Sequence, residues 1–298
     1  MDYFLSVPSK TFLLGEYVAL KGGPTLILTT EPNFQLIATH NPDQRIENNQ
    51  MHAESPAGKL RARDASFFQN YNLQFTDPYR TLGGFGASSA QFVMLYALKC
   101  LICESQINDA EMLKDYETLA WNGEGLAPSG ADLIAQKHGG LCFFHKSIGK
   151  VQTYAWPFPE LEYGLIHTGH KLATHSHLQQ LTNLRTHDLE KIVIAGWESL
   201  QEHNSSCFIA AINHYASALQ AQALVAKSTQ EILKKLTAHP KILAAKGCGA
   251  LGADVVLFLY ASEQRDRLIG WLKPKWNLIT FGHQVATGLK IVAHKKGG

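Results

Sequence analysis

The stretch at residues 81–103, TLGGFGASSAQFVMLYALKCLIC, limits the possible folds of this chain more than any other. Gly83, Gly84 and Gly86 allow positive backbone φ values and a close approach that a Cβ would prevent. Ser88 and Gln91 have the spacing of a capping box, which predicts that a helix begins at Ser88. The residues that follow are apolar on nearly every face, which is typical of a buried helix.

A glycine-rich segment that leads into a helix is suited to anion binding. The free N–H groups of the first helical turn and the positive end of the helix dipole both point toward it, so phosphate is the expected ligand. We call residues 82–86 the glycine-rich loop. It is not a Walker loop, and it departs from Gly-x-Gly-x-x-Gly because Ser89 takes the sixth position. On its own, the motif is equally compatible with a simple connection.

The composition favours a cytoplasmic protein with a substantial core. The chain has 298 residues, of which 45% are hydrophobic, and a formal net charge of +2. This near-neutral balance gives no reason to expect a nucleic-acid or membrane partner. The N-terminus lacks the pattern of a signal peptide, and no stretch has the apolar length of a transmembrane helix. Five cysteines, an odd number, favour a reducing compartment. Cys100 and Cys103 are interpreted as core residues.

The periodicity predicts a mixture of strands and helices without repeats, an α+β fold. Residues 40–66 are polar and are predicted to form a hairpin or loop region with little core content. We predict a boundary near residue 160 that divides the chain into two domains, residues 1–160 and 161–298. Strands are predicted near residues 3–7, 25–30, 36–39, 141–144, 151–155, 163–168, 255–260, 277–280 and 288–293. Further helices are predicted near 108–121, 188–203, 208–226, from a Ser228 cap onward, and at 262–272.

Four further motifs accompany the glycine-rich loop. Pro8-Ser9-Lys10 and Gly15-Glu16-Tyr17 lie near the N-terminus, Pro128-Ser129-Gly130-Ala131-Asp132 lies in the middle, and residues 247–254 read Gly-Cys-Gly-Ala-Leu-Gly-Ala-Asp. In this order the motifs resemble the GHMP kinases, the family of galactokinase, homoserine kinase, mevalonate kinase and phosphomevalonate kinase. The resemblance spans the chain from Pro8 to about Tyr260.

The resemblance implies the GHMP kinase fold and an ATP-dependent reaction. An N-terminal domain like that of ribosomal protein S5 domain 2 would pack against a ferredoxin-like C-terminal domain. The enzyme would transfer the γ-phosphoryl group of ATP to a small-molecule acceptor with the help of Mg²⁺. A monomer or a homodimer is expected.

Two residues match the catalytic positions of the family. Asp132 matches the aspartate that takes or orients the proton of the attacking hydroxyl. Lys10 matches the lysine that contacts this aspartate and the transferred phosphate, where its charge keeps the carboxylate ionised. The alternatives are a helix cap for Asp132 and a solvated lysine at a strand end for Lys10.

The resemblance also implies the nucleotide and metal ligands. Ser88 is the preferred Mg²⁺ ligand, although it could serve only as a helix cap. Mevalonate kinases place a metal-binding glutamate eleven residues before the aspartate, where this chain has Trp121; Glu117 is therefore the candidate metal ligand, with Glu124 as a second candidate. The expected ATP-binding residues are Gly84, Gly86, Ala87, Ser88, Ser89, Gly249 and Gly252.

The acceptor remains open between mevalonate and phosphomevalonate. PSGAD is similar to a mevalonate kinase motif, whereas GEY and the pattern that ends at Asp254 are similar to phosphomevalonate kinases. A nucleotide or metabolite sensor without turnover, and a kinase for a sugar or homoserine, are the alternatives. The expected acceptor-binding residues are Glu16, Tyr17, Ser129, Gly130, Thr168 and Thr174. The nearby histidines have no standard zinc spacing and are interpreted as solvated or locally hydrogen-bonded: His167, His170, His175 and His177.

Overall fold

The computed structural model describes residues 1–41, 51–80, 82–169 and 185–294. The strands in these ranges are β1 (Asp2–Leu14), β2 (Pro24–His40), β3 (Tyr71–Thr76), β4 (Leu141–His145), β5 (Lys150–Tyr154), β6 (Leu161–His167), β7 (Ile242–Cys248), β8 (Val255–Ala261), β9 (Asn277–Gly282) and β10 (Lys290–His294). The α-helices are α1 (Pro56–Arg63), α2 (Ala65–Phe68), α3 (Ala87–Ile102), α4 (Asp109–Ala120), α5 (Ala131–His138), α6 (His187–Gln201), α7 (Ser205–Ala221), α8 (Lys227–Thr237) and α9 (Arg265–Leu272).

The first sheet is antiparallel and has the order β10-β1-β2-β4-β5, with β3 also paired to β2. The long strand β2 lies at the centre of this sheet. The first half of β2 pairs with β4 and its last part pairs with β3, while β1 pairs with its opposite edge. Strand β10 returns from the end of the described chain to pair with β1. The division into domains at residue 160 stays a prediction.

The second sheet is also antiparallel and has the order β7-β8-β6-β9. The helix pair α6 and α7 lies between the two sheets, because α6 packs against β2 while α7 packs against β7 and β1. Trp197 of α6 stacks on Phe143 of β4 with ring centroids 4.4 Å apart. The two sheets thus share one hydrophobic core.

Helices α3 and α5 pack against β1 and β2. The side chains from Phe92 to Leu98 are all buried, so the prediction of a buried helix after the glycine-rich loop is confirmed. Within the described ranges, no helix combines the length and apolar character needed to cross a membrane.

Several predictions of local structure are corrected. Residues 51–66 are not a loop region with little core, because α1 lies within them and α2 begins there. The two helices bury Leu60 and Phe68 and pack against α3. Residues 42–50 lie outside the described ranges.

Cys103 is exposed, whereas Cys100 is buried as expected. Helix α8 begins at Lys227, after Ala226 and without a side-chain cap, so Ser228 does not cap it. Strand β3 was not predicted.

Candidate active site

The predicted motifs converge on one cavity of about 870 Å³ between the two sheets and the N-terminal ends of α3 and α5. The predicted residues in its wall come from four segments that are distant in the sequence, and local sequence alone cannot bring these segments together. The predicted site residues that line it are Lys10, Glu16, Tyr17, Gly84, Gly86, Ala87, Ser88, Ser89, Ser129, Gly130, Asp132 and Gly249.

The glycine-rich loop depends on two left-handed residues, Gly84 at φ 87° and Gly86 at φ 89°. Gly86 is the N-cap of α3 and supplies no side chain, so the helix begins at Ala87 and the predicted Ser88–Gln91 capping box is wrong. Ser88 is exposed in the first turn and lines the cavity. Its hydroxyl is therefore available to a ligand rather than used as a cap.

Strand β1 holds Lys10 against this loop. The Lys10 N–H donates a 3.0 Å hydrogen bond to the Phe85 carbonyl. A Cβ added at Gly86 would lie 2.8 Å from Lys10 Cγ, so only glycine lets the lysine side chain pass. The lysine Nζ lies 5.1 Å from the centroid of the Phe12 ring.

Helix α5 presents Asp132 to the same cavity. Gly130, at φ 69°, is its N-cap, and Ser129 Oγ accepts a 3.3 Å hydrogen bond from the Ala131 N–H. Asp132 lies in the first turn and does not cap the helix. Tyr116 of α4 also lines the cavity, and burial, assisted by the Asp132 carboxylate, raises the pKa of its hydroxyl.

A buried ion pair lies at the wall of the cavity that Glu16 lines. Glu16 accepts a hydrogen bond from the ammonium of Lys246, a fully buried residue of β7. Lys246 Nζ also donates to the Gly247 carbonyl at 2.9 Å. Burial raises the pKa of the Glu16 carboxyl, and the positive charge of Lys246 opposes that rise. Tyr17 accepts a 2.8 Å hydrogen bond from the Leu251 N–H, which gives a second link to the loop after β7.

The C-terminal glycine segment contributes only part of its residues to the cavity. Gly249 lines it, whereas Gly252 is buried against Gly247. Asp254 lines the cavity beside Gly84, where an added Cβ would lie 2.8 Å from Asp254 Cβ.

One of the two expected acceptor-binding threonines, Thr168, is not brought to the cavity wall. The Thr168 N–H donates to the Asp254 carbonyl at 2.8 Å, but Thr168 does not line the cavity. Thr174 lies outside the described residues, as do His170, His175 and His177. His167 is buried, and its ring lies 6.1 Å from that of Phe85.

Glu117, the candidate metal ligand, does not line the larger cavity. It lines a separate cavity of about 620 Å³ between α4 and the β4–β5 hairpin, and it forms a 3.0 Å ion pair with Lys146. Both α4 and the hairpin hold it there, so this position gives no support to its expected role as a metal ligand. Glu124, the second candidate, does not line the larger cavity either.

The structure adds lining residues that sequence reasoning missed. Seven of them lie within motifs already described, although they were not singled out as site residues: Leu82, Gly83, Gln91, Pro128, Cys248, Ala250 and Asp254. The other seven lie outside every motif, so no local signal identifies them: Phe12, Leu20, His52, Ser55, Phe75, Asp77 and Tyr116. Burial raises the pKa of the Cys248 thiol, which disfavours the reactive thiolate.

The arrangement combines anion binding with a nearby carboxylate. Two helix N-termini and Lys10 supply N–H donors and positive charge, as a polyphosphate requires. Asp132 stands at the same wall, where it can accept a proton from a hydroxyl group. Among the described residues no cluster of three or more metal-ligating side chains occurs. Mg²⁺ can be held by one or two protein oxygens together with phosphates and water, so the Ser88 hydroxyl and a wall carboxylate suit it chemically.

Solved structures with the same architecture come from several small-molecule kinases. The Methanococcus jannaschii mevalonate kinase aligns with a TM-score of 0.72 at 12% identity, over 94% of this chain and 98% of that chain. The Streptococcus pneumoniae phosphomevalonate kinase, in complex with phosphomevalonate and AMPPNP, aligns with a TM-score of 0.72 at 15% identity, over 94% and 99%. The Lactococcus lactis galactokinase complexed with galactose aligns with a TM-score of 0.73 at 10% identity, over 97% and 95%.

The chain has the GHMP kinase fold. The expected α+β class is thereby confirmed. No protein-family model and no curated protein matches the sequence. Kinases that act on three different acceptors align almost equally well with this chain. The GHMP kinase fold therefore does not identify the acceptor.

Proposed function

We propose that this protein is an ATP-dependent kinase that transfers the γ-phosphoryl group to a small-molecule acceptor. The observation that carries the proposal is that Lys10, Asp132 and the N-terminus of α3 line one cavity. Phosphoryl transfer needs positioning and charge neutralisation more than covalent catalysis, and these three features supply both.

Each feature has a role in this reaction. The N–H groups at residues 84–89 bind the β- and γ-phosphates, and Lys10 neutralises charge on the transferred group. Asp132 orients the acceptor hydroxyl and takes its proton. Ser88 and a wall carboxylate would hold Mg²⁺, which neutralises phosphate charge when it is bound.

The proposal predicts that Asp132→Asn removes turnover but keeps nucleotide binding. The amide keeps the size of the side chain and cannot accept the proton, so kcat should fall about 100-fold or more. ADP release with Mg-ATP measures turnover, and calorimetric titration with Mg-AMPPNP measures binding. Asp188→Asn, at an exposed position on α6, is the matched control. Equal turnover in Asp132→Asn and the wild type would overturn the assignment of Asp132.

We further propose mevalonate or phosphomevalonate as the acceptor. PSGAD at residues 128–132 supports the former, and Glu16-Tyr17 with the pattern ending at Asp254 supports the latter. The ADP-release assay should include both compounds with galactose and homoserine. Turnover of galactose or homoserine alone would overturn this acceptor proposal while leaving the kinase proposal intact.

A sensor without turnover is the second candidate. The position of Glu117, paired with Lys146 outside the site, favours it because one expected metal carboxylate is missing from the cavity wall. Such a protein would bind Mg-AMPPNP and release no ADP with any acceptor. Turnover that disappears in Asp132→Asn would exclude it.

A further inference from the structure

Gln136 is a fully buried amide on α5, four residues after Asp132. Its neighbours Leu133, Ile134 and Ala135 are also completely buried. Burying an amide in apolar surroundings costs free energy unless its hydrogen bonds are made. An apolar residue would fill the space at lower cost, so the glutamine is explained by the bonds that it forms.

The side-chain amide joins two other segments of the cavity wall. Nε2 donates to the Pro8 carbonyl at 2.9 Å and to the Gly86 carbonyl at 3.1 Å. Two carbonyl acceptors fix the orientation of the amide, because the opposite rotamer would set its oxygen against both of them. Oε1 has no hydrogen-bond partner among the described residues, which leaves the two donor bonds as the contribution of this group.

The three connected segments carry the three features of the proposed reaction. Pro8 precedes Lys10 by two residues on β1, Gly86 is the N-cap of α3, and Gln136 follows Asp132 by one helical turn. A Cβ added at Gly86 would lie 3.1 Å from Gln136 Nε2, so the contact is already tight.

We propose that Gln136 is a positioning residue that fixes the glycine-rich loop and the Lys10 strand to the helix that carries Asp132. The contact holds in the free protein, and its consequence for phosphoryl transfer rests on the proposed function. Gln136 does not line the cavity. Its role is therefore exerted through the loop and the strand.

Amide hydrogen exchange of the free protein tests the contact without any ligand. Gln136→Met keeps approximate side-chain volume and removes both donor bonds. Exchange of the Lys10 and Ala90 amides, which donate to the Phe85 and Gly86 carbonyls, should therefore accelerate about tenfold, as expected for the loss of one or two net hydrogen bonds. Exchange in α7 should stay unchanged. The control is Gln201→Met on α6, which removes a 3.3 Å hydrogen bond from the Gln201 amide to the hydroxyl of Tyr154 in β5. Unchanged protection of the Lys10 and Ala90 amides, or equal acceleration throughout the protein, would overturn the proposal.

Nucleotide binding separates this proposal from the proposed function. Gln136→Met should weaken Mg-AMPPNP binding and raise the KM for ATP about tenfold, with a smaller change in kcat, because the phosphate-binding N–H groups lose their fixed position. If the wild type binds no Mg-AMPPNP, the proposed function fails and the exchange experiment still decides the role of Gln136. If the wild type binds and Gln136→Met binds equally well, the positioning role fails.

Discussion

Gly86 combines a conformational and a steric requirement at one residue. Its φ of 89° lies in the left-handed region, and its missing Cβ leaves space for Lys10 Cγ and Gln136 Nε2. Gly123 has the same φ of 89°, but no atom lies within 4 Å of an added Cβ. Alanine substitutions at the two glycines therefore separate the free-energy cost of a left-handed backbone from that of a steric clash between the added Cβ and its neighbours.

We expect Gly86→Ala to lower kcat/KM about 100-fold, whereas Gly123→Ala should change it less than about threefold. Both variants carry the left-handed penalty of about 1–2 kcal/mol, but only the first displaces Lys10 from its contact with the loop. Steady-state ADP release and urea unfolding of both variants provide the measurement. Equal losses of kcat/KM in the two would show that the contact with Lys10 has no influence on activity.

At the scale of elements, α4 and α5 are joined by one acidic residue. Asp109 at the start of α4 contacts Lys137 and His138 at the end of α5, the latter at 2.8 Å. Burial opposes ionisation, but the hydrogen bonds from His138 and Lys137 outweigh it and lower the pKa of Asp109 to about 2. This contact fixes the far end of the helix whose first turn carries Asp132.

The lowered pKa predicts a specific loss of stability in acid. A carboxyl with a folded-state pKa of about 2, against about 3.9 when unfolded, contributes stability fully above about pH 4 and loses it as the pH falls toward 2. Asp109→Asn should lower the free energy of unfolding by about 1–2 kcal/mol at neutral pH, and the difference from wild type should shrink below pH 4. Urea unfolding over this pH range measures it. Asp188→Asn, whose side chain is 85% exposed, should show no such trend.

A difference between Asp109→Asn and wild type that stays constant from neutral pH down to about pH 2 would contradict this account. It would show that the carboxylate charge is not what joins the two helices.

For the whole molecule, the buried pair of Glu16 and Lys246 connects the two sheets. Glu16 follows β1 of the first sheet and Lys246 lies in β7 of the second, 230 residues apart in the chain. Removing one member of such a pair leaves an uncompensated buried charge, which typically costs about 3–5 kcal/mol. Replacing both members removes that penalty.

We therefore expect Lys246→Met to lower the free energy of unfolding by about 3–5 kcal/mol. The double variant Glu16→Gln with Lys246→Met should recover more than half of this loss. Urea unfolding of the wild type, both single variants and the double variant gives the coupling free energy. Additive losses in the double variant would mean that the two charges do not stabilise each other.

The elements were predictable where one local pattern dominates. The apolar run from Phe92 identifies α3 as buried, and the short apolar runs around Leu26 and Leu165 identify strands. The start of α3 and the capping of α8 were predicted wrongly because positive-φ glycine and plain alanine replaced the expected side-chain caps. Helices α1 and α2 were not predicted because the segment is polar overall, although the Ser55 cap and Pro56 at the first position of α1 are a local helix-start signal.

The sequence by itself determined the residue types of the candidate site: a glycine-rich loop before a buried helix, a lysine at residue 10 and an aspartate at residue 132. These follow from residue types and short spacings, which are local properties. Only the tertiary structure decided that they share one cavity, that Glu117 is bound to Lys146 elsewhere, and that Gln136 and Lys246 hold the site together. Such contacts join residues far apart in the chain, and they exist only after helices and sheets have packed.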